Sequence, residues 1–133
     1  MSPTIKLNKN GFTLIELIST LVIISVLAAV LLPRYLDAET SSKMRGLDLG
    51  ISELNGRETL TWALVKLSDS GYTDDVTLWA HLSSETGTDL GADYDWTAAP
   101  TIGGGALRFK RDVAATLTRS PSTIETPGKW KRP

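Results

Sequence analysis

Of all residues in this 133-residue chain, Glu16 most needs a charged or polar partner, because it is the only ionisable residue between Leu14 and Leu32. A lone carboxylate in hydrocarbon is costly unless a cation or a helix N-terminus faces it, so such a residue usually marks a functional position. The nineteen residues of this run would form about 28 Å of helix, close to the hydrocarbon thickness of a bilayer. The run is therefore predicted to cross a membrane as a helix.

The segment in front of this run, residues 1–11, is polar and carries Lys6 and Lys9 but no acid. By the positive-inside tendency, these lysines hold the N-terminus in the cytoplasm and place the chain after Pro33 outside. A secretory signal would have small residues and a cleavage site behind the apolar run. The residues there match such a site poorly, so the more natural processing point lies before the run, between Gly11 and Phe12.

The sequence Gly11-Phe12-Thr13-Leu14-Ile15-Glu16-Leu17 resembles the type III signal sequence of type IV prepilins and pseudopilins. The resemblance implies cleavage after Gly11 by a membrane-embedded prepilin peptidase, followed by N-methylation of the new Phe12 amine. It also implies an assembly role for Glu16 and for Pro33, which stands where this family commonly has a helix-breaking proline. The similarity covers about the first quarter of the chain, and beyond Tyr35 it is one of architecture only.

Cleavage after Gly11 would create an ammonium group at Phe12, one helical turn from Glu16. The resemblance implies a second partner, in which Glu16 of an incoming subunit pairs with the Phe12 amine of its neighbour in a growing filament. A buried ion pair sets register more reliably than it adds stability, which suits ordered assembly. The alternative is a plain membrane anchor whose glutamate lies among the lipid headgroups, and it leaves the glycine and the short leader unexplained.

The sequence predicts three segments: a leader at 1–11, a membrane-spanning and filament-core helix at 12–33, and an extracytoplasmic domain at 34–133. About 100 residues are enough for one small domain with a modest core. The chain has no cysteine, so packing has to stabilise this domain without a disulfide. Many type IV pilins close a C-terminal loop with a disulfide, and its absence leaves pseudopilins and cysteine-free pilins open.

The periodicity after Pro33 predicts that the helix continues. One apolar stripe has intervals of three and four and comprises Met44, Leu47, Ile51 and Leu54. A second stripe at shifted phase comprises Leu60, Ala63, Leu64 and Leu67. Glycines weaken a helix by about 1 kcal/mol each, so Gly46, Gly50 and Gly56 predict a bend or local unwinding over 46–56. The Gly46-x-x-x-Gly50 spacing resembles a close-packing motif but lies outside the apolar span, so it is interpreted as chance or flexibility rather than as a dimerisation motif.

The remaining signals predict an α+β fold, in which the long N-terminal helix packs against a small antiparallel β-sheet. The helix is expected to stop at Asp69-Ser70-Gly71, and a short helix at 74–83 is expected to follow an N-cap at Thr73–Asp75 and to pack through Val76, Trp79 and Leu82. Alternating residues predict strands at 92–97, 106–111 and 113–117, with a turn at 103–105. The tail from Ser120 is predicted to be irregular, with Trp130 as a candidate anchor.

Charge is unevenly distributed along the chain. Between Leu67 and Leu107 there are acids and no Lys or Arg: Asp69, Asp74, Asp75, Glu85, Asp89, Asp93 and Asp95. From Arg108 onward the bases outnumber Asp112 and Glu125, and they are Arg108, Lys110, Arg111, Arg119, Lys129, Lys131 and Arg132. One interpretation is two solvated faces. Our hypothesis is that acidic and basic surfaces of neighbouring subunits meet in a filament and set its register.

The residues suggest three other kinds of function. Lys129-Trp130-Lys131-Arg132 interleaves cations with an aromatic ring, as nucleic-acid binders do, so a minor or competence-type pilin that binds DNA is the alternative function. Asp89, Asp93 and Asp95 offer oxygen ligands for calcium, but the spacing favours solvated acids, and His81 as the only histidine is a poor metal ligand. The chain shows no nucleophile–histidine–acid set, phosphate loop or metal spacing, so no catalytic residue, metal or cofactor is predicted.

The sequence therefore predicts a structural subunit of a type IV pilus or a type II secretion pseudopilus. Its expected partners are other pilins in a homo- or hetero-oligomeric filament, the prepilin peptidase, the inner-membrane assembly machinery and the membrane itself. The expected location is the bacterial inner membrane before assembly, as a single-pass protein with a cytoplasmic N-terminus, and a periplasmic or extracellular filament afterwards. Neither the choice between pilus and pseudopilus nor that between major and minor subunit follows from these residues.

Overall fold

A computed structural model describes residues 2–3, 10–84 and 86–133, so most of the predicted leader and Glu85 lie outside the described residues. The chain divides into two compact units, Met1–Ala38 and Glu39–Pro133. Helix α1, Leu14–Leu67, contributes residues to both units. The second unit adds a short helix and a four-stranded antiparallel sheet, and the α+β, pilin-like architecture is as predicted.

The first unit is the apolar half of α1, and its side chains are exposed from Phe12 to Ala38. Thr20 Oγ1 donates to the carbonyl of Leu17 at 2.8 Å, and Ser25 Oγ donates to that of Leu21 at 2.7 Å. Because both hydroxyls are satisfied inside the helix, no polar group of these two side chains needs water. Among the described residues, α1 is the one helix that is long and apolar enough to cross a membrane.

Pro33 lies inside α1 and does not break it. Proline has no N–H to donate to the carbonyl four residues earlier, so one backbone hydrogen bond is missing at this turn. The helix nevertheless continues to Leu67, where Ser68 and Gly71 donate backbone hydrogen bonds to Val65 and Ser68. Gly71 has a φ of +65°, a conformation that glycine adopts without strain after a helix end.

The first predicted stripe of α1 is confirmed, and the second is wrong. Leu47, Ile51 and Leu54 are buried in the core of the second unit. Leu60, Leu64 and Leu67 are exposed, whereas Glu58 and Val65 are buried. The packing face keeps the 3.6-residue period of the first stripe beyond Leu54. Its next position is Glu58, a charged residue, so the pattern of apolar residues did not indicate that the face continues.

Gly46 and Gly50 form a close-packing surface, so the predicted flexibility at 46–56 is wrong. Both glycines are buried within the continuous helix α1. A Cβ atom on Gly46 would lie 2.4 Å from the ring of Phe109, and one on Gly50 would lie 2.4 Å from the ring of Tyr94. The Tyr94 hydroxyl donates to the Gly46 carbonyl at 2.7 Å. Two aromatic rings of the sheet therefore occupy the space that helix side chains would fill.

Helix α2, Asp75–Ser84, is where the sequence predicts a short helix, and two of its three predicted packing residues, Trp79 and Leu82, do pack. Asp74 caps it, since the Thr77 N–H donates to Asp74 Oδ1 at 2.7 Å. Val76 is 65% exposed, whereas Leu78 and Leu82 are buried. These two leucines are four residues apart and occupy one side of the helix, with Trp79 packed against the core beside them.

The sheet has the strand order β1-β2-β3-β4, with strands Tyr94–Thr101, Gly104–Phe109, Val113–Ser120 and Lys129–Lys131. The first three strands confirm the predicted antiparallel meander. The tail is not irregular throughout, because Trp130 pairs with Arg119 across β3 and β4. Trp130 is 1% exposed and belongs to the core with Leu107 and Leu117. Burial of this indole brings the C-terminal residues back to the sheet.

Candidate functional site

The predicted processing site lies at the start of α1. Phe12 is 92% exposed and precedes the helix, which begins at Leu14. The Glu16 N–H donates to Thr13 Oγ1 at 3.3 Å. In return, Glu16 Oε2 accepts from the Thr13 N–H at 2.8 Å and from its hydroxyl at 2.9 Å. Thr13 and Glu16 thus form a capping box, in which each side chain satisfies a backbone N–H of the other.

The capping box gives Glu16 a local function that the sequence analysis missed. Its signal was present, because Thr13-x-x-Glu16 in front of an apolar run is the sequence signature of this motif. The carboxylate fixes the first turn of α1 directly behind the Gly11–Phe12 bond. A helix that starts at a defined residue leaves the predicted cleavage site, the Gly11–Phe12 bond, in front of it, among residues without regular secondary structure.

The second unit contains a buried cluster of charges that joins α1, α2 and β3, and we call Glu58, Asp75 and Arg119 the charge cluster. Arg119 Nη2 donates to Glu58 Oε1 at 2.5 Å, and its Nε donates to Glu58 Oε2 at 3.0 Å. The side chains of this pair are completely buried. Arg119 Nη1 and Nη2 also donate to Asp75 at 2.9 and 2.8 Å. One guanidinium group therefore binds two carboxylates from two helices.

Neighbouring polar groups complete the charge cluster. The Trp130 indole N–H donates to Glu58 Oε2 at 3.1 Å, and the Ser122 N–H and hydroxyl donate to Asp75 Oδ1 at 2.7 and 2.6 Å. Burial raises the pKa of Asp75, but the hydrogen bonds from Arg119 and Ser122 outweigh it and leave this pKa below its usual value. Within the described part of the chain, no buried side-chain nitrogen or oxygen lacks a partner.

Residues 121–128, which we call the C-terminal loop, are fastened to the end of α1 by side chains that donate to loop carbonyls. Trp62 Nε1 donates to the Thr123 carbonyl at 2.8 Å, and Lys66 Nζ donates to the Ile124 carbonyl at 2.9 Å. The Tyr72 hydroxyl donates to the Ser122 carbonyl at 3.0 Å. Hydrogen bonds and the charge cluster therefore hold this loop in a chain that has no cysteine.

The four C-terminal residues proposed to contact a partner or DNA do not form one surface. Trp130 packs between Trp79 and Trp96, with ring centroids 6.1 and 5.8 Å away. Its backbone N–H donates to Asn55 Oδ1 at 2.7 Å. Because Trp130 is 1% exposed, its ring has no free face to stack on a base, and that part of the prediction is wrong. Lys129 and Lys131 are exposed on strand β4. Arg132 forms an ion pair with Asp48 at 3.1 Å.

The sequence separation of acids and bases is only partly a separation in space. Arg108 forms an ion pair with Asp95 across β1 and β2, and its hydrogen bond lowers the pKa of that carboxyl. Arg119 and Arg132 bind carboxylates of their own chain as well. Of the seven C-terminal bases, these three are thus neutralised within the subunit. Lys110, Arg111, Lys129 and Lys131 are exposed.

The acids considered for calcium do not converge. The Asp95 carboxylate is engaged by Arg108, and Asp89 Oδ1 accepts the Gly91 N–H at 2.9 Å. Across residues 10–84 and 86–133, no three acidic or histidine side chains lie close enough together to hold a metal ion. His81 is exposed on α2, at the rim of a surface groove.

The predicted site residues therefore fall into two groups, one in each unit. Gly11, Phe12, Glu16 and Pro33 belong to the first unit, and the C-terminal residues belong to the second. Residues 6–32 match the family model described as the prokaryotic N-terminal methylation motif. No curated protein and no solved structure matches the chain. Proteins with this motif are structural pilins rather than an enzyme family. The chain carries the N-terminal methylation signal of type IV pilins and pseudopilins, on an apolar helix that leads into a pilin-like α+β domain.

Proposed function

We propose that this protein is a structural subunit of a type IV pilus or a type II secretion pseudopilus. Its precursor is inserted with a cytoplasmic N-terminus, cleaved after Gly11, methylated at Phe12 and polymerised through residues 12–33. The observation that carries the proposal is the methylation motif on a helix whose first half, up to Ala38, exposes all of its apolar side chains. Such a surface needs lipid before assembly and other helices after it. The work is mechanical and needs no cofactor.

The capping box supports a role for Glu16 in both states. In the precursor, its carboxylate accepts two hydrogen bonds from Thr13. Cleavage removes the peptide bond in front of Phe12 and leaves a cation one turn away. The same carboxylate then pairs with that ammonium or with the one of a neighbouring subunit. Other pilins, the prepilin peptidase and the inner-membrane assembly machinery are the partners that this cycle requires.

The experiment that tests the proposal is the intact mass and N-terminal sequence of the protein from its native membrane. A chain that begins at Phe12 and carries one additional methyl group is expected. A chain that begins at Met1, or that is cut behind the apolar run, would contradict the proposed processing and favour a simple anchored domain.

A matched pair of variants tests the assembly role of Glu16. Glu16→Gln is expected to be processed but to yield few filaments, because the amide cannot neutralise an ammonium in a low-dielectric environment. Glu53→Gln, which removes an exposed carboxylate of the same helix, should assemble normally. Filaments from Glu16→Gln at the wild-type yield would rule out ion pairing as the function of this carboxylate.

A further inference from the structure

The turn between β2 and β3 holds two bases in a backbone conformation that does not suit them, and we call Lys110 and Arg111 the cationic turn. Their φ angles are +49° and +57°, in the left-handed region that residues other than glycine and asparagine adopt at a cost. The Asp112 N–H donates to the Phe109 carbonyl at 3.1 Å. This bond closes a turn with positive φ at both central residues, where Asn-Gly is the favoured pair. Strained residues of this kind cluster at functional sites.

Two acids close to the cationic turn are bound by other bases. Asp112 forms an ion pair with Lys43, and Asp95 forms one with Arg108. The hydrogen bond from Arg108 is the main cause of the lowered pKa of Asp95, and the charge of Arg111 is a minor one. These two carboxylates therefore have partners without the cationic turn.

The side chains of the cationic turn are exposed, and neither forms an ion pair with any residue that the structure describes. Lys110 Nζ lies 5.5 Å from the centroid of the Phe109 ring, a contact that leaves the ammonium charge in place. The exposed Asp93 accepts the Lys110 N–H at 2.8 Å, but through its backbone carbonyl. The turn thus presents two cationic side chains that are not paired within the subunit.

The cationic turn lies at the end of the second unit where that unit begins along the chain. Glu39 is the first residue of this unit, and Lys43 binds both Glu39, at 2.7 Å, and Asp112 of the turn. From Lys43 the helix α1 continues to Leu67, a distance of about 36 Å at 1.5 Å per residue. Residues close to Leu67 therefore lie at the opposite end of the same unit.

This opposite end carries exposed acids. Asp69 and Asp74 lie in the link between α1 and α2, and Glu125 lies in the C-terminal loop. The loop is held at this end because Lys66 Nζ donates to the carbonyl of Ile124 at 2.9 Å. Within the described part of the chain, none of the three acids forms an ion pair. We call Asp69, Asp74 and Glu125 the acidic end.

From these observations we infer that the cationic turn of one copy contacts the acidic end of another copy. The inference rests on the proposed function, because it requires a filament. A contact between opposite ends of one molecule is heterologous, so it repeats in a single direction, as copies of equal polarity in a filament require. Exposed ion pairs add little affinity. The N-terminal helices therefore hold the copies together, and the contact selects the register between second units.

Exchanging the charges of the two ends tests the contact in the full chain. Lys110→Glu with Arg111→Glu should lower the pelleted filament yield at low salt about tenfold, because like charges then meet. Asp69→Lys with Glu125→Lys should have the same effect, and it leaves Asp74 in place to cap α2. All four substitutions together should restore the yield to at least about half of wild type, since opposite charges meet again.

The matched control reverses two other exposed bases. Asp69→Lys with Glu125→Lys is combined with Lys129→Glu and Lys131→Glu on strand β4, and this combination should not restore the yield. N-terminal sequencing shows whether each variant begins at Phe12, which separates a defect in assembly from one in processing.

Residues that suit the turn separate its charge from its fold. Lys110→Asn with Arg111→Gly should raise the urea midpoint of unfolding, because asparagine and glycine adopt positive φ more readily, and yet lower the filament yield. All four tryptophans lie in the second unit, so the fluorescence of the full chain in detergent reports on its unfolding. A yield at or above that of wild type would overturn the contact, since a turn with only a structural role gains from these residues.

The outcomes that overturn the contact can be told apart from failure of the proposed function. A reversed turn that assembles normally, or whose defect the reversed acids do not repair, overturns the contact alone. If that unrepaired variant also loses binding to vesicles of phosphatidylglycerol, the turn serves the membrane surface instead. A wild-type chain that is never cleaved after Gly11 and forms no filament overturns the proposed function, and the contact falls with it.

Discussion

At the scale of single residues, the environment of each carboxylate decides what it does. Glu16 lies in an apolar run and caps the helix through Thr13. Glu58 is buried and bound by Arg119 and Trp130. Glu53 is exposed and forms an ion pair with Arg57 on the same helix. Only the second of these arrangements places a full charge in the core, where loss of one partner leaves the other uncompensated.

Glu58→Gln should therefore destabilise the second unit by about 3 kcal/mol, at the lower end of the range for breaking a buried pair because Asp75 still faces Arg119. Glu53→Gln should cost less than about 1 kcal/mol. Urea unfolding followed by tryptophan fluorescence measures both variants. Equal effects of the two substitutions would mean that the charge cluster contributes no more than a surface ion pair.

Acidification should weaken the same cluster. A carboxyl whose pKa is lower in the folded state stabilises the fold above its unfolded pKa of about 3.9, and this contribution is lost as the pH falls through the folded value. The pKa of Asp75 is lowered in this way, so the free energy of unfolding should decrease below about pH 4. Asp75→Asn should show a shallower acid decrease than wild type in chemical unfolding between pH 6 and pH 2. An identical slope in both proteins would contradict this assignment.

At the scale of elements, the two halves of helix α1 differ in what packs against them. Its first half has no covering side chains, and its second half is covered by the sheet along Leu47, Ile51 and Leu54. Gly46 and Gly50 let the rings of Phe109 and Tyr94 approach the backbone. Gly56 has no atom within 4 Å of the place where a Cβ would stand. A methyl group would therefore clash with an aromatic ring at Gly46 and Gly50, but it would meet no neighbouring atom at Gly56.

Gly46→Ala and Gly50→Ala should each destabilise the second unit by about 1 to 3 kcal/mol, because the clash with an aromatic ring exceeds the better helix propensity of alanine. Gly56→Ala should stabilise it by about 1 kcal/mol, since only the propensity changes. Thermal or urea unfolding distinguishes the signs. If all three substitutions stabilised the protein, the close packing of α1 on the sheet would be refuted.

At the scale of the whole molecule, the charges left exposed after internal pairing are candidates for contacts between subunits. Arg132 is engaged by Asp48, so the exposed bases of residues 129–132 are Lys129 and Lys131 on the edge strand β4. Lysines on an edge strand also discourage unwanted strand pairing. Contact between subunits and protection of the edge strand both depend on the charges of these lysines, whereas the stability of the fold does not. Substitutions of the two lysines can therefore test these roles without unfolding the second unit.

A double charge reversal, Lys129→Glu with Lys131→Glu, should lower filament yield at low salt and leave the unfolding transition of the second unit unchanged. Neutral Lys129→Gln with Lys131→Gln should have a smaller effect, and added salt should reduce the difference. The measurement is the pelleted filament fraction at two salt concentrations. A wild-type yield from the reversed variant would exclude β4 from the electrostatic contacts between subunits.

The sequence by itself determined the features that local signals encode. The apolar run and its single carboxylate predicted the exposed half of α1, and the motif at Gly11–Glu16 predicted the methylation signal that the family model matches. Alternation and glycine turns predicted β1 to β3, and Asp74 predicted the start of α2. Each of these depends on residues within a few positions of one another, where periodicity and capping act.

Only the tertiary structure decided which residues are buried against distant partners. Glu58 and Arg119 are 61 residues apart, and Glu58 and Trp130 are 72 apart. No local pattern shows that a glutamate will find a guanidinium group or that a basic tail hides its tryptophan in the core. The same holds for Gly46 and Gly50, whose role was set by rings on β1 and β2. Long-range packing overrode local propensity at these positions, because burying an aromatic ring stabilises more than a flexible glycine costs.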